Sequence, residues 1–285
     1  MNRWRRNRRK RAEEMAHHEG SERPTRHFRP PTLLLRPFGS FAAAVRFLTL
    51  LPLPGKIGTT EDELTHAAPF FPLVGLLLGC IAVPAAQFFF YFLPPLPAAV
   101  LLIILLLAFS GGLHLDGLAD TADGFLSARS QERILEIMKD SHIGTMGAAA
   151  LTLLIFLKTA CLASLPADKT LAAAFLMPVA GRTAILLLMA LLPYAREGGL
   201  GSLFAVYFNS SAGWIASLGG FLLLTWAAYA AAGPSGLSVV LAVLLLTFLF
   251  ALLCRCKIGG ATGDTLGAAC ELAEAAAVLA FVLKI

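Results

Sequence analysis

The chain has 285 residues, 57% of them apolar and only 14% charged, with a formal net charge of +5. Soluble domains carry about 25% charged residues, so these proportions exclude an ordinary soluble enzyme and predict a protein of the bilayer. The positive charge is local. Residues 1–37 hold eleven Lys/Arg against four acids, while the remainder holds twelve against fourteen, so no nucleic-acid partner is expected.

Residues 1–37 are Arg-rich, interrupted by proline and free of apolar periodicity, which predicts a disordered cytosolic tail. Residues 38–285 read as one membrane-embedded domain. Its first stretch, 38–53, is apolar but carries Arg46 and is closed by Pro52 and Pro54. Its sixteen residues reach about 24 Å as a helix, too short to cross, so a short interfacial or re-entrant helix is expected. Seven spans, give or take one, follow at 66–93, 98–113, 143–165, 171–192, 212–232, 237–253 and 265–283. The expected fold is therefore an all-α polytopic membrane helical bundle.

Charge bias orients it. With the tail in the cytosol, segments 114–142, 194–211 and 254–264 share its side and carry Arg129, Arg133, Lys139, Arg196, Arg255 and Lys257. The opposite turns carry only Lys169. By the positive-inside rule the protein is expected to be multi-pass in a cell (inner) membrane, with its N-terminus and its polar loops cytosolic.

Three constellations lie on that side. The first, Gly111-Gly112-Leu113-His114-Leu115-Asp116-Gly117-Leu118-Ala119-Asp120-Thr121-Ala122-Asp123-Gly124, follows an apolar run. Asp116, Asp120 and Asp123 stand at i, i+4 and i+7, within roughly 60° of one another on a helix. Like charges so placed repel, and a hard cation such as Mg²⁺ would neutralise them. The plainer alternative is a hydrated helix end. His114 falls on the opposite side and reads as structural.

The second constellation, Lys139-Asp140-Ser141-His142 ahead of Gly144, offers a cation, a carboxylate, a hydroxyl and an imidazole at the entrance to a span. It reads equally as a helix cap and as an anion site. In the third, Gly259-Gly260-Ala261-Thr262-Gly263-Asp264, a Gly-rich turn leads into a helix with Asp264 at its start. Glu271 and Glu274 then enter an apolar helix, either as functional acids or paired with the mid-span cations Lys158 and Arg182.

These blocks, with MKDSHIGTMGA and GGATGDTLGAACELAE quoted as they stand, resemble in order the signature blocks of the cobalamin synthase family. Arg46-Phe47-Leu48-Thr49 and Phe71-Pro72-Leu73-Val74-Gly75 resemble its N-terminal blocks. The resemblance covers residues 38–285. It implies a Mg²⁺-dependent adenosylcobinamide-GDP ribazoletransferase, with adenosylcobinamide-GDP and α-ribazole (or its 5′-phosphate) as substrates. The bilayer would be its surroundings, with room for a homo-oligomer or a complex with other cobalamin-assembly enzymes. One departure is His142, where the family commonly has Arg.

On that basis Asp116, Asp120 and Asp123 are expected to hold the metal, with Asp264 closing the site. One of these aspartates or Asp140 would orient or deprotonate the attacking hydroxyl. Arg129, Lys139, Ser141, His142, Arg182, Gly259, Gly260, Thr262 and Gly263 are the expected substrate contacts. Two other classes compete. A CDP-alcohol phosphatidyltransferase shares the aspartate chemistry, but here Asp123-Gly124 is followed by Ala128-Arg129 one residue too late for its motif, and Gly144 stands where its final aspartate belongs. A secondary transporter would place its acids near the midplane between repeats, and no repeat is found.

Overall fold

The computed structural model describes residues 36–196, 198 and 200–283, so the expected tail falls almost wholly outside the described residues. Those residues form eleven α-helices joined by turns and 3₁₀ segments. They are α1 (Arg36–Leu48), α2 (Glu61–Thr65), α3 (Phe71–Phe92), α4 (Pro95–Ser110), α5 (Leu113–Phe125), α6 (Gln131–Ile137), α7 (Thr145–Ser164), α8 (Ala167–Leu191), α9 (Ser211–Ala232), α10 (Leu237–Ile258) and α11 (Gly263–Val282). Each of the seven expected spans overlaps a helix. By length and apolarity five stretches qualify as membrane spans, or six when α4 and α5 count as one broken span. One of the five is the 48-residue stretch Ser211–Ile258, which a 3₁₀ turn at Gly233–Gly236 divides into α9 and α10.

The bundle is built around α8 and α11, whose apolar windows are 83% and 78% buried against 33% for α3 and α7. The reason lies in their sequences. Ala172, Ala173, Ala174, Ala180 and Ala184 on α8 meet Ala273, Ala277 and Val278 of α11 in one small-residue core, and small side chains let membrane helices approach closely. The outer helices show Leu153, Phe156, Trp226, Leu241 and Leu245 on their exposed faces. A bilayer explains that apolar exterior, which water would not tolerate over such an area.

Together with α7, the same two helices carry a buried ion network. Lys158 Nζ on α7 donates to Glu271 Oε2 at 2.6 Å and to Glu274 Oε2 at 2.8 Å, and Arg182 Nη1 donates to Glu274 Oε1. Of the two readings left open for Glu271 and Glu274, functional acids or paired ones, this is the paired one. It withdraws Arg182 from the substrate, since the expected contact is buried and committed to a carboxylate.

The short first helix also forms, as thirteen residues of α1. Arg46 near its end is a clamp: Nε donates to the Ile57 carbonyl at 3.0 Å and Nη2 to those of Leu53 and Gly55 at 2.7 and 2.9 Å. Beyond α1, the Leu50 amide donates to the Phe109 carbonyl at 2.7 Å, tying this segment to the end of α4.

Candidate active site

The site is assembled where α4 breaks. Gly111 and Gly112 both have positive φ, 63° and 74°, a conformation that costs side-chain-bearing residues about 1–2 kcal/mol each. The consecutive left-handed residues turn α5 by 94° from α4. The expected second span therefore ends three residues early, and the aspartates belong to a separate helix.

Close approach to α11 then fixes where those aspartates lie. A Cβ on Gly117 would meet the Asp264 carbonyl oxygen at 2.6 Å, and one on Gly267 would meet His114 backbone at 3.1 Å. Only glycine lets α5 and α11 touch along this line. The contact brings Asp264 to the acidic face of α5, and both Asp116 and Asp264 sit in first turns, where the helix dipole favours a carboxylate.

A second link supplies the cation. The Ala261 amide donates to the Pro193 carbonyl at 2.9 Å and the Ala195 amide to the Ala261 carbonyl at 2.8 Å. This pairing of the segment after α8 with the turn before α11 sets Arg196 Nη2 3.0 Å from Asp264 Oδ2. Asp120 lies in the fields of Asp116, Asp264 and Asp123, with Arg196 as the offsetting charge. Setting Asp123 aside, three carboxyl groups thus face one guanidinium, a formal excess of two negative charges.

Asp123 is placed differently from its neighbours. Its Oδ2 accepts from the Gly144 amide at 2.7 Å and its Oδ1 from the Gly147 amide at 2.8 Å. It thereby caps α7, whose N-cap, Gly144, has no side chain to do so. The second constellation was open between cap and anion site. The structure gives the cap to Asp123 rather than to Asp140 or Ser141. Asp140 Oδ1 instead accepts from the His142 amide at 3.0 Å and pairs with its Nδ1 at 2.7 Å. These His142 contacts hold the Asp140 carboxyl below its ordinary pKa. Thr262 begins α11 with a capping box shared with Thr265.

Two cavities meet at this cluster. One, of about 210 Å³, lies among Phe47, Phe71, His114, Tyr194, Arg196 and Phe204, with Gly263 and Asp264 at its wall. The other, of about 600 Å³, is bounded by Arg46, Gly111, Gly112, Asp120 and Ser141. Asp116 lines both. A third cleft holds Asp123, Asp140 and His142. Of the remaining expected contacts, Arg129 and Lys139 are exposed and line none of these cavities, and neither do Gly259, Gly260 and Thr262, which shape the turn before α11.

The sequence left Tyr194 unmarked, gave His114 a structural reading and showed Arg196 only as a cytosolic-side cation. His114 is 3% exposed, lines the smaller cavity, and its Nδ1 has no hydrogen-bond partner among the described residues. Arg196 Nε is likewise buried and unpartnered. Tyr194 donates to the Gly198 carbonyl at 3.0 Å, and burial raises its phenol above the ordinary pKa, with Arg196 opposing. Arg196 stood out in the sequence only as one of the cytosolic-side cations. Its partner, 68 positions away at Asp264, is brought near by backbone pairing that leaves no periodic trace.

The family model described as cobalamin-5-phosphate synthase matches residues 40–282. An adenosylcobinamide-GDP ribazoletransferase of Roseiflexus sp. is 38% identical over 93% of this chain and 97% of its own length. Proteins of the same name from Acetivibrio thermocellus and Klebsiella pneumoniae are each 39% identical, over 84% and 85% of this chain and 95% and 99% of their own lengths. No solved structure matches.

Proposed function

The chain belongs to the cobalamin-5-phosphate synthase family, and we propose that it carries out its relatives' reaction at the cavities joined by Asp116. Adenosylcobinamide-GDP and α-ribazole, or its 5′-phosphate, are the substrates. A ribose hydroxyl attacks the phosphorus on the cobinamide side of the diphosphate. The bond to the bridging oxygen breaks, GMP leaves with the electron pair, and the hydroxyl proton passes to a carboxylate. The family's named activity displaces both the phosphatidyltransferase and the transporter readings.

The observation that carries this assignment is the shared place of Asp116 on the walls of both cavities. A group that joins two substrates needs a reacting centre that each can reach. Diphosphate displacement asks chiefly for positioning and for neutralisation of charge.

The residues fit a divalent cation. Asp116, Asp120 and Asp264 offer hard oxygen donors and a formal excess of two negative charges over Arg196, and Mg²⁺ usually takes one or two carboxylates plus substrate phosphate oxygens. Among the described residues no group of three or more His, Cys, Asp or Glu is arranged to hold a metal by itself, so the ion would need substrate phosphate oxygens to complete its ligands. When bound, Mg²⁺ would supply charge neutralisation at the displaced phosphate. The chain's own work is to hold the acids together through Gly117, to present Arg196 to the developing charge, and to take the proton at Asp116 or Asp120. Asp123 supports the site as the cap of α7. The charge bias of the loops supports a cytosolic site in the cell membrane.

Purified protein given both substrates is expected to release GMP when Mg²⁺ is present and to stop when the metal is chelated. No GMP under any condition would overturn the reaction. Release that is indifferent to chelation would overturn the metal alone.

A further inference from the structure

The smaller cavity differs from the larger in kind. Phe47, Phe71 and Phe204 form a mutual cluster at one wall, with ring centroids 5.3 Å apart for Phe47–Phe204 and 5.4 Å for Phe71–Phe204. Leu48, Ile185, Met189 and Leu266 complete an apolar lining. Against this stand unspent polar atoms, His114 Nδ1 and Arg196 Nε, both buried and without hydrogen-bond partners among the described residues. Buried polar atoms left unsatisfied cost about 1–3 kcal/mol each, and a bound ligand is one way to recover that cost.

We infer that this cavity is the subsite for the aromatic base of the ribosyl substrate, an inference that rests on the transferase reading above. Size comes first. At about 210 Å³ the cavity lies below the roughly 300–1,000 Å³ of pockets that enclose drug-sized ligands, so it takes one ring system and not a corrinoid. Two aromatic bases are on offer, the guanine of adenosylcobinamide-GDP and the alkylated benzimidazole of α-ribazole. Guanine presents acceptors at O6 and N7 and a donor at N2, and whichever of these faced the phenyl and aliphatic wall would be left unpaired. An alkylbenzimidazole joined to ribose keeps one free ring nitrogen and apolar edges. That pattern matches a pocket in which phenyl and aliphatic side chains meet the apolar edges and the unpartnered nitrogens of His114 and Arg196 can answer the one free ring nitrogen. Asp116 at the mouth then stands beside the ribose whose hydroxyl attacks, and the larger cavity, bounded by Gly111, Gly112 and Ser141, is left for the diphosphate.

The test uses the full-length protein in detergent. Phe204 lines the smaller cavity and not the larger, so Phe204→Leu removes a stacking face there alone, and a melting curve checks that the fold is kept. Base–aromatic stacking makes about a tenfold rise in KM for α-ribazole the expected result, with KM for adenosylcobinamide-GDP unchanged. Binding of α-ribazole to unaltered protein, displaced by free dimethylbenzimidazole and not by guanosine, is expected as well and needs no variant. A rise in KM for adenosylcobinamide-GDP instead, or displacement by guanosine, would assign the pocket to guanine and overturn the inference. Unchanged constants for both substrates in a folded Phe204→Leu protein would overturn it too. Failure of the transferase reading would show separately, as absence of GMP release from unaltered protein.

Discussion

Helix α11 carries two charged clusters two turns apart, and they obey opposite rules. At its start Asp264 joins Asp116 and Asp120 against the single guanidinium of Arg196. Further along, Glu271 and Glu274 meet Lys158 and Arg182. The second group is balanced, closed to solvent and linked at 2.6 and 2.8 Å. It has only a void of about 10 Å³ beside it. The first is unbalanced and opens on cavities of about 210 and 600 Å³. Acids in a membrane helix therefore do not by themselves mark a site. An excess of charge beside open volume does, because Arg196 alone offsets only part of the repulsion and a ligand can answer the rest.

The largest expected effect breaks the balanced cluster. Lys158→Met leaves two buried carboxylates with one cation, and removing one partner of a buried pair costs about 3–5 kcal/mol. The melting temperature of the solubilised protein should fall steeply. Replacing Lys158, Arg182, Glu271 and Glu274 together by apolar residues of similar size should recover most of that stability. GMP release from the fourfold variant should then stay near that of unaltered protein. A folded fourfold variant without turnover would erase the distinction between the clusters.

The unbalanced cluster should respond in the opposite sense. Asp116→Asn removes a charge from a repelling group, so stability should hold or rise slightly. Catalysis should drop by about 10²–10³ in kcat, the usual cost of removing one preorganised group that acts on transition-state charge. Steady-state kinetics and a melting curve on the same preparation check both halves. A melting temperature that falls with activity would mean that Asp116, too, is a structural ion.

Much of this contrast was legible in the sequence, for reasons that can be named. Helices α3, α4 and α7 to α11 announce themselves because hydrocarbon runs in a bilayer must satisfy their own backbone. The stripe of Asp116, Asp120 and Asp123 follows from the 3.6-residue turn, and Lys158 and Arg182 were the mid-span cations available to Glu271 and Glu274. What stayed hidden depends on contacts between distant segments. The pairing of Pro193 with Ala261 that delivers Arg196 has no local signature. Nor does the inclusion of His114, which helical phase put opposite Asp116, because a cavity that wraps around α5 meets more than one of its faces. Arg182 misled for a related reason: a buried guanidinium near acids looks the same in sequence whether it serves a substrate or a neighbour.

The smallest expected effect concerns Asp123, which shares its stripe with the site and its chemistry with the structural cluster. Both carboxylate oxygens are engaged by the Gly144 and Gly147 amides, so its charge is answered by the start of α7 as that of Glu274 is answered by Arg182. Asp123→Ala should therefore act as the loss of a helix cap, costing about 1 kcal/mol of stability, with a loss of turnover well short of that in Asp116→Asn. The residual activity loss should track the loosening of α7 and be relieved at lower temperature, where the helix start is less frayed. If Asp123→Ala instead abolished turnover and left the melting temperature unchanged, its oxygens would be serving the reaction. The boundary between the balanced and unbalanced clusters would then run through α7 and not between Asp120 and Asp123.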